Sequence, residues 1–281
     1  MRRLAVLGYP VAHSRSPAMQ TAALEALGLA GEWSYVAIEV APEDFAARVE
    51  AMVREGWAGA NVTVPHKVAA FALADRPTRV ASAIGAANTL TFTADGIDAD
   101  NTDAPGLIDS LPEPPARKRA LVLGAGGSAR ACAWALREAG AEVAIWNRTG
   151  ARAAELAAEL GVEAVDADPG GEPLGAGTYE VVVNTTTVGL ETSNAPSSGG
   201  GDPLSDLKAL PIDADLLGEG HVVVDLVYGS SPTPLVAAAR SRGATVVDGL
   251  EILVRQGAHS LRIWTGLDPP LDVMREAARR E

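Results

Sequence analysis

The stretch that decides the fold lies near the middle of the chain, where residues 120–129 read ALVLGAGGSA. The apolar run Ala120–Leu123 predicts a short buried strand, and the Ala-rich residues after the turn predict a helix. The turn fits the pattern G-x-G-x-x-A. Gly124 would make the tight turn, Gly126 would let a pyrophosphate approach the backbone, and Ala129 would permit close helix packing. We interpret the stretch as the start of a dinucleotide-binding fold; a purely structural glycine turn is the alternative.

The residues downstream continue the same alternation of strands and helices. The predicted strands after the first are Glu142–Trp146, Tyr179–Val183 and His221–Val227, and the predicted helices are Ser128–Ala139, Ala151–Leu160 and Pro234–Arg242. Alternation of this kind predicts a parallel sheet with helices on both faces. Residues 191–206 are rich in Ser, Gly and Pro, and we interpret them as a surface loop without an assigned function.

The end of the second strand of this pattern bears on the choice of nucleotide. Chains that bind a dinucleotide without a 2′-phosphate usually carry an acid there, for the ribose hydroxyl. Here the strand is followed by Asn147, Arg148 and Thr149, with Arg152 just beyond. Arginine suits a 2′-phosphate because its guanidinium forms paired, charge-assisted hydrogen bonds. Two solvated arginines at a helix start are the alternative interpretation.

The first hundred residues contain a second set of short strands and Ala-rich helices. Strands are predicted at Leu4–Leu7, Trp33–Val40 and Ala60–Val64, and helices at Pro42–Glu55 and after Ser16, the predicted N-cap, with a stop at Gly28. The proline-rich segment Leu111–Arg119 predicts a connection between domains. The tail from Gly249 to Arg280 is predicted to be helical, interrupted around Asp268–Pro270.

Several polar residues of the first domain could carry chemistry. Ser14 and Ser16 precede a predicted helix, where their hydroxyls and the helix N-terminus could hold a carboxylate. Lys67, expected in a loop after the strand that ends at Pro65, could donate or accept a proton, and neighbouring His66 is the rival acid–base group. Taken singly, Ser16 is better explained as an N-cap, Ser14 as a turn residue and Lys67 as a surface lysine.

Two further polar segments are Gly85–Thr89 and Asp100–Asp103. The Asn88 amide can both donate to and accept from a sugar-like hydroxyl, and Asp103 could pair with Lys67. Turn formation by Asx residues is the alternative interpretation.

The bulk composition excludes some classes of partner. The 281 residues, 47% of them hydrophobic, are enough for about two domains. The balance of 23 basic and 36 acidic residues gives a net charge of −13, which disfavours nucleic-acid and anionic-membrane binding. Cys132 is the single cysteine, so no internal disulfide and no cysteine-based metal site is expected. No membrane span and no signal-peptide core is recognisable, and we expect a cytoplasmic protein.

Taken together, the motifs resemble those of the shikimate dehydrogenase family over nearly the whole chain. The matching segments, in order, are Gly8–Pro17, Asn61–Lys67, Gly85–Thr89, Asn101–Asp103, Gly124–Arg130, Asn147–Thr149, Asn184–Gly189, Asp225–Tyr228 and Gly249–Gln256. The resemblance implies a two-domain α/β fold. Residues 1–110, completed by C-terminal helices at 250–281, would form the substrate-binding and catalytic domain. Residues 111–249 would form a Rossmann-type parallel-sheet domain for NADP.

The resemblance also implies a role for each matching residue. Lys67 and Asp103 would be the catalytic pair. The residues implied to bind substrate are Ser14 and Ser16, at the carboxylate, and Thr63, Asn88, Tyr228 and Gln256, around the ring. The residues implied to bind NADP are Gly124, Ala125, Gly126, Gly127, Ser128, Asn147, Arg148, Thr149 and Arg152, with Thr186, Leu226 and Gly249 on the nicotinamide side. No metal is implied, and a homodimer is a possible assembly.

Two departures from the family pattern are small. Ala87 stands where the family often has Val, and Ile252 where it often has Met, so they bear on substrate preference rather than on reaction type. The implied reaction is reversible NADPH-dependent reduction of 3-dehydroshikimate to shikimate, in chorismate and aromatic amino-acid biosynthesis. The alternatives are a quinate/shikimate dehydrogenase, an aminoshikimate dehydrogenase, or a catalytically silent NADP-binding sensor.

Overall fold

A computed structural model describes residues 1–167, 174, 178–190, 207–229 and 231–280. The chain divides into two compact units. Unit 1 comprises Met1–Ser110 and Leu250–Glu281, and unit 2 comprises Leu111–Gly249. The predicted surface loop 191–206 lies outside the described residues.

Six strands and five helices make up the N-terminal part of unit 1. The strands are β1 (Arg2–Gly8), β2 (Trp33–Glu39), β3 (Gly59–Val62), β4 (Arg76–Pro77), β5 (Thr89–Thr93) and β6 (Gly96–Asp100). The helices are α1 (Ser16–Ala26), α2 (Phe45–Arg54), α3 (Lys67–Ala72), α4 (Arg79–Ile84) and α5 (Asp103–Ser110).

The remaining described elements follow in chain order. The strands of unit 2 are β7 (Arg119–Leu123), β8 (Glu142–Trp146), β9 (Glu163–Ala164), β10 (Val181–Asn184), β11 (Val222–Asp225) and β12 (Thr245–Val247). Its helices are α6 (Gly127–Glu138), α7 (Gly150–Leu160) and α8 (Pro234–Ser241). The C-terminal helices are α9 (Gly249–Thr265) and α10 (Leu271–Arg279). None of the helices described here is both long and apolar enough to cross a bilayer.

The start of α1 differs from the prediction. Ser16 is not the N-cap but the first helical residue; the N-cap is Arg15, which has helical dihedral angles and makes no capping bond with its side chain. Pro17 is tolerated in the first turn because the N–H that it lacks would have no helical partner there. The capping-type hydroxyl lies earlier, since Ser14 Oγ accepts a hydrogen bond from the Ser16 backbone N–H.

Two other predicted elements of unit 1 also need correction. The predicted helix 42–55 begins with a 3-10 turn, Pro42–Asp44, and becomes α-helical only at Phe45. Lys67 was expected in a loop after the strand, but it is the first residue of α3. This helix has only six residues, too few to show an apolar periodicity in the sequence.

The sheet of unit 1 is mixed, with strand order β2-β1-β3-β5-β6-β4. Strands β1, β2 and β3 are parallel, whereas β5 pairs antiparallel with both β3 and β6. The parallel pairing of unit 1 therefore ends at β5. The β5–β6 pair is antiparallel for a local reason, because Ala94 and Asp95 form a two-residue turn that leaves no room for a helix crossover.

The sheet of unit 2 has the strand order β12-β11-β10-β7-β8-β9, and all its pairs are parallel. Numbered from β7 as strand one, this is the doubly-wound order 3-2-1-4-5-6 of dinucleotide-binding folds. The order reverses between β7 and β10. In such sheets ligands bind beyond the carboxyl ends of the strands at that reversal.

Alternating side chains of the strands build the cores. In β1, Leu4 and Val6 face a core that includes residues of α1, α9 and α10, while Ala5 and Leu7 face a core that includes residues of α2. Both faces of the sheet are thus covered. The unit 2 core packs Leu121 and Leu123 of β7 with Trp146, Val182 and Val223 from neighbouring strands, and with residues of α8.

Candidate active site

The candidate catalytic residues of unit 1 lie at one edge of its sheet. The carboxyl ends of β1 and β3 meet there because these strands are parallel. The amino end of β5 lies at the same edge, because β5 runs antiparallel to β3, and the carboxyl end of β6 lies there for the same reason. The segments that carry Thr63, Lys67, Asn88 and Asp103 leave from these strand ends. The sheet topology therefore gathers residues that are far apart in sequence.

Lys67 and Asp103 form a buried ion pair. The Lys67 Nζ donates a hydrogen bond to Asp103 Oδ2 at 2.6 Å, and the two residues are 9% and 6% exposed. Each residue begins a helix, α3 and α5 respectively. A buried pair of this kind fixes the position of both charged groups, because neither side chain can move without leaving an unpaired charge.

Asn88 holds the other oxygen of the aspartate. Its Nδ2 donates to Asp103 Oδ1 at 2.8 Å and to Gln256 Oε1 at 3.2 Å. Its Oδ1 accepts from Thr102, through both the backbone N–H at 2.7 Å and the hydroxyl at 3.1 Å. Because donors occupy the Oδ1 side, the amide nitrogen must face the aspartate. The structure thus joins Lys67, Asp103, Asn88 and Gln256 into one network.

A second polar layer, which the sequence analysis did not identify, lies beneath Asn88. Asn61 Nδ2 donates to Ser260 Oγ at 2.8 Å, and Thr89 Oγ1 lies 2.9 Å from Ser260 Oγ. Tyr35 closes the layer by donating its hydroxyl hydrogen to Asn61 Oδ1. Ser260 comes from α9, almost two hundred residues after Asn61, and nothing in the local sequence of either residue indicates this contact.

His66, the rival acid–base group, has a different environment. Its Nε2 donates to the backbone carbonyl of Val40 at 2.8 Å, and its ring stacks on Phe45 with centroids 4.4 Å apart. The residue is only 2% exposed. These contacts account for a histidine at position 66 by its packing on Phe45 and its hydrogen bond to the backbone, without a catalytic role.

Ser14, Ser16 and Thr63 lie on the segments that follow β1 and β3. The two segments touch, since the Tyr9 backbone N–H donates to the Val64 carbonyl at 3.0 Å. Ser14 and Thr63 are half-buried, and Ser16 is buried at the start of α1. No hydrogen bond among the described residues links these three side chains directly to the Lys67 network.

The glycine-rich turn of unit 2 connects β7 to α6. Gly124 has φ +117°, and a Cβ there would lie 2.4 Å from Thr185 Oγ1, so only glycine fits. Gly126 is exposed, and a Cβ built on it would meet no described atom within 4 Å. Protein packing therefore does not explain the glycine at position 126. The need for a ligand to approach the backbone there would explain it. Ala125, Gly127 and Ser128 complete the turn and begin α6.

The residues after β8 remain open to solvent. Arg148, Thr149 and Arg152 are exposed, and within the described chain neither arginine side chain has a hydrogen bond or ion pair assigned to it. Asn147 Nδ2 donates to the Thr149 carbonyl and the Arg152 N–H donates to the same oxygen, which shapes the start of α7. Two exposed cations beside a helix N-terminus fit a phosphate ligand.

The residues implied for the nicotinamide side follow β10, β11 and β12. Thr186 follows β10, and its backbone N–H and hydroxyl both donate to Asn184 Oδ1. Leu226 and Gly249 are close neighbours, because a Cβ on Gly249 would lie 2.8 Å from the Leu226 carbonyl oxygen. Tyr228 is half-buried after β11. Thr186, Leu226 and Gly249 thus follow the carboxyl ends of β10, β11 and β12, at the edge of the sheet where the glycine-rich turn follows β7.

Asn184 and Asp225 were given no individual role by the sequence analysis. Both are fully buried, and Asn184 Nδ2 donates to Asp225 Oδ1 at 2.9 Å. A signal for them was present, because the runs Val181–Asn184 and Val222–Asp225 each end three valines with a polar residue. The burial raises the pKa of the Asp225 carboxyl, against the opposing effect of its hydrogen bonds.

Comparison with known protein families places three stretches of the chain in one group. Residues 6–90 match the family described as the shikimate dehydrogenase substrate binding domain. Residues 110–186 match shikimate / quinate 5-dehydrogenase, and residues 249–279 match the shikimate 5′-dehydrogenase C-terminal domain.

Full-length relatives agree with these matches. The chain is 43% identical over 276 residues to a shikimate dehydrogenase (NADP(+)) from Acidiphilium cryptum, covering 96% of this chain and 93% of the relative. It superposes on shikimate 5-dehydrogenase from Thermus thermophilus, solved in complex with NADP(H) and shikimate, with TM-score 0.84 and 43% identity, covering 100% and 99% of the two chains. Quinate dehydrogenase from Corynebacterium glutamicum, solved with NAD, gives TM-score 0.81 at 30% identity, covering 98% of each chain. From the matching domains, the full-length identity and the shared fold, we conclude that this chain belongs to the shikimate dehydrogenase family.

Proposed function

We propose that this protein is an NADP-dependent shikimate dehydrogenase that reversibly reduces 3-dehydroshikimate to shikimate, a step of chorismate and aromatic amino-acid biosynthesis. The observation that carries the proposal is the buried Lys67–Asp103 pair, held at 2.6 Å and braced by Asn88, in a chain of this family. A buried ion pair is weak evidence for a role in stability, and catalytic residues are disproportionately found on loops that a rigid scaffold positions.

In this proposal Lys67 is the group that moves the proton. Its ammonium donates to the substrate oxygen as the ketone becomes a hydroxyl, and takes the proton back in the reverse direction. Asp103 orients the lysine, and the charge of the ammonium stabilises negative charge that develops on that oxygen. NADP, when bound, carries the hydride that is exchanged with the ring carbon bearing the oxygen.

The substrate would be held by groups around this pair. Ser14 and Ser16 offer hydroxyls near the start of α1, where the N-terminal backbone groups favour an anion, and they are proposed to bind the carboxylate. Thr63, Asn88 and Gln256 are proposed to bind the ring hydroxyls. Tyr228 is included as a further substrate ligand on the family resemblance alone.

The cofactor would be held by unit 2. The pyrophosphate is proposed to lie against the backbone of Gly124, Ala125, Gly126, Gly127 and Ser128, at the N-terminus of α6. Arg148 and Arg152 are proposed to bind the 2′-phosphate, with Asn147 and Thr149 lining the same loop. Thr186, Leu226 and Gly249 are proposed to line the nicotinamide side. Residues 1–110 with 250–281 would thus be the substrate domain, and residues 111–249 the NADP domain.

We also propose that the enzyme is cytoplasmic and that it can form a homodimer. It would act on a small molecule and would have no nucleic-acid or membrane partner. The net charge of −13 and the single, buried cysteine support this assignment. Light scattering at micromolar concentration measures the assembly state, and a mass of one chain would contradict the dimer.

The alternatives on this scaffold are a quinate/shikimate dehydrogenase, an aminoshikimate dehydrogenase and a silent NADP-binding sensor. The exposed arginines after β8 favour NADP over NAD, which argues against an NAD-preferring quinate enzyme. The intact Lys67–Asp103 pair argues against a silent sensor.

One assay separates all of these. We expect the purified chain to oxidise shikimate with NADP, with a kcat/KM well above that for quinate, for aminoshikimate or for NAD as cofactor. Binding of NADP without turnover of any of the three substrates would favour the sensor. A higher kcat/KM for quinate with NAD would instead contradict both the proposed substrate and the proposed cofactor.

A further inference from the structure

Two buried polar residues end neighbouring strands of unit 2 side by side. Asn184 is the last residue of β10, Asp225 is the last residue of β11, and the two are paired in the parallel register. Both are 0% exposed. Burying a carboxylate costs free energy of folding unless the group has good hydrogen-bond partners, so its presence at this position requires an explanation.

The Asp225 carboxylate is satisfied entirely by neutral donors. Oδ1 accepts from Asn184 Nδ2 at 2.9 Å and from the Val227 backbone N–H at 3.0 Å, and Oδ2 accepts from the Thr233 hydroxyl at 2.6 Å. No arginine, lysine or histidine in the described chain forms an ion pair with it. Because all three partners donate, the network fits the ionised carboxylate, whose negative charge has no protein counter-ion among these residues.

The same network fixes the two loops that follow the strands. On one side, Asn184 Oδ1 accepts from the backbone N–H and the hydroxyl of Thr186. On the other side, Asp225 holds Val227 and Thr233, and Thr233 also caps α8 by accepting from the Val236 N–H. Thr186 and Leu226, which are proposed to line the nicotinamide, belong to these two loops.

The position of Asp225 relative to the glycine-rich turn follows from the sheet. Asn184 is also in register with Leu123, the last residue of β7, and Gly124 comes next. Strands lie about 4.8 Å apart, so Asp225 stands about 10 Å from the end of β7, at the same carboxyl edge. A buried negative charge acts over such a distance because little water screens it.

We propose that Asp225 is a positioning residue of the cofactor site that fixes the loops after β10 and β11 and whose buried negative charge favours the oxidised, positively charged nicotinamide over the reduced, neutral one. The inference rests on the proposed function, because it requires that NADP binds at this edge of the sheet. In this proposal Asp225 contacts neither the substrate nor the cofactor, but it determines which redox form of the cofactor binds more tightly.

The test compares the two redox forms on the full chain. NADP+ and NADPH are each titrated by calorimetry into the wild type and into Asp225→Asn, and the ratio of Kd for NADPH to Kd for NADP+ is formed. We expect the substitution to lower this ratio by roughly threefold to tenfold or more. Coulomb's law gives such a factor for one charge about 10 Å away, at an effective dielectric constant between that of water and about 20, and a nicotinamide lined by Leu226 would lie no farther from Asp225 than the end of β7 does. A loss of structure alone would weaken both forms equally and leave the ratio unchanged.

A control and a second variant complete the test. Glu142→Gln removes the same charge from an exposed residue at the opposite end of the sheet, the first residue of β8, and should leave the ratio within about twofold. Asp225→Ser removes the same charge with a smaller neutral side chain, so the ratio should fall by a similar factor. This variant decides the question if Asp225→Asn does not fold.

The outcomes separate the two proposals. An unchanged ratio in the variant that folds, with both cofactor forms still bound by the wild type, overturns the role of Asp225 and leaves the proposed function standing. If the wild type binds neither form, both proposals fail.

Discussion

The two candidate sites are built in opposite ways. In unit 1, the groups around Lys67 are buried side chains that already satisfy one another: the lysine pairs with Asp103, and Asn88 braces the aspartate. In unit 2, Gly126 of the glycine-rich turn and Arg148 are exposed, with open space in front of Gly126, and the groups available to a ligand there are backbone N–H groups and cations.

The difference follows from what each site has to do. A proton-transfer group must be held within hydrogen-bond reach of one substrate atom, so its position is fixed in advance by neighbours. A dinucleotide brings its own charge, and a helix N-terminus with a few arginines is enough to hold it. We therefore expect substitutions of the Lys67–Asp103 pair in unit 1 to act on turnover, and substitutions in the open loops of unit 2 to act on cofactor affinity.

The largest effect is expected at Lys67. Lys67→Met should lower turnover roughly a hundredfold to ten-thousandfold, the range for a positioned acid–base group. The KM for shikimate should change far less, because Ser14, Ser16 and Gln256 remain. Steady-state kinetics measure both constants, and Lys208→Met, at an exposed lysine of unit 2, is the matched control.

A second variant sharpens the result at Lys67. Asp103→Asn should also lower turnover, but the double variant should lose less than the product of the two single losses, since the pair acts as one unit. Near-normal turnover of Lys67→Met would assign the proton transfer to another group.

The next effect concerns the open loop after β8. Arg148→Ala should raise the KM for NADP roughly tenfold to a hundredfold, as expected for loss of a charge-assisted hydrogen bond. The KM for NAD, which lacks the 2′-phosphate, should remain nearly constant and is the internal control. Equal losses with both cofactors would show that Arg148 does not recognise the 2′-phosphate.

A smaller effect is expected at Ser14. Its replacement by Ala should weaken shikimate binding roughly tenfold, because one hydrogen bond to the carboxylate is lost. The Kd for NADP, measured by titration without substrate, should not change. Unaltered shikimate affinity would remove Ser14 from the carboxylate site.

The smallest effect lies outside both sites, at Glu251 of α9. Hydrogen bonds from Arg275, helped by Arg255, lower the pKa of the Glu251 carboxyl from 4.5 to about 2. The depressed pKa means that this carboxylate stabilises the fold above pH 4.5 and that the contribution is lost as pH falls towards 2.

The corresponding test is thermal unfolding. Glu251→Gln should cost roughly 1 kcal/mol, because the side chains are about a quarter exposed, and lower Tm by about 2–4 °C at pH 7. The difference from the wild type should shrink as pH falls from 4.5 towards 2. Glu50→Gln, at an exposed pair with Arg54, is the control and should change Tm little. An equal Tm difference at pH 7 and pH 3 would contradict the assignment to this ion pair.

Prediction from the sequence was most accurate where one local pattern determines one element. The strand Glu142–Trp146 was placed with its observed bounds, and the β7–α6 turn was placed because glycine at 124 is required by its backbone conformation. Prediction was least accurate for short elements. The six-residue α3 and the hairpin β5–β6 were missed, since their few residues carry no clear periodicity and their faces are covered by segments distant in sequence.

The sequence by itself determined the residue types available for chemistry and the alternation of strands and helices in unit 2, because apolar runs, glycine turns and helix starts are local properties of the chain. Only the tertiary structure decided which polar groups meet. Asn88 reaches Gln256 across 168 positions, and Asn184 reaches Asp225 across 41. These contacts exist because strand order and direction bring the ends of separate segments to one edge of each sheet, and that arrangement is fixed by packing of the whole unit rather than by any single stretch.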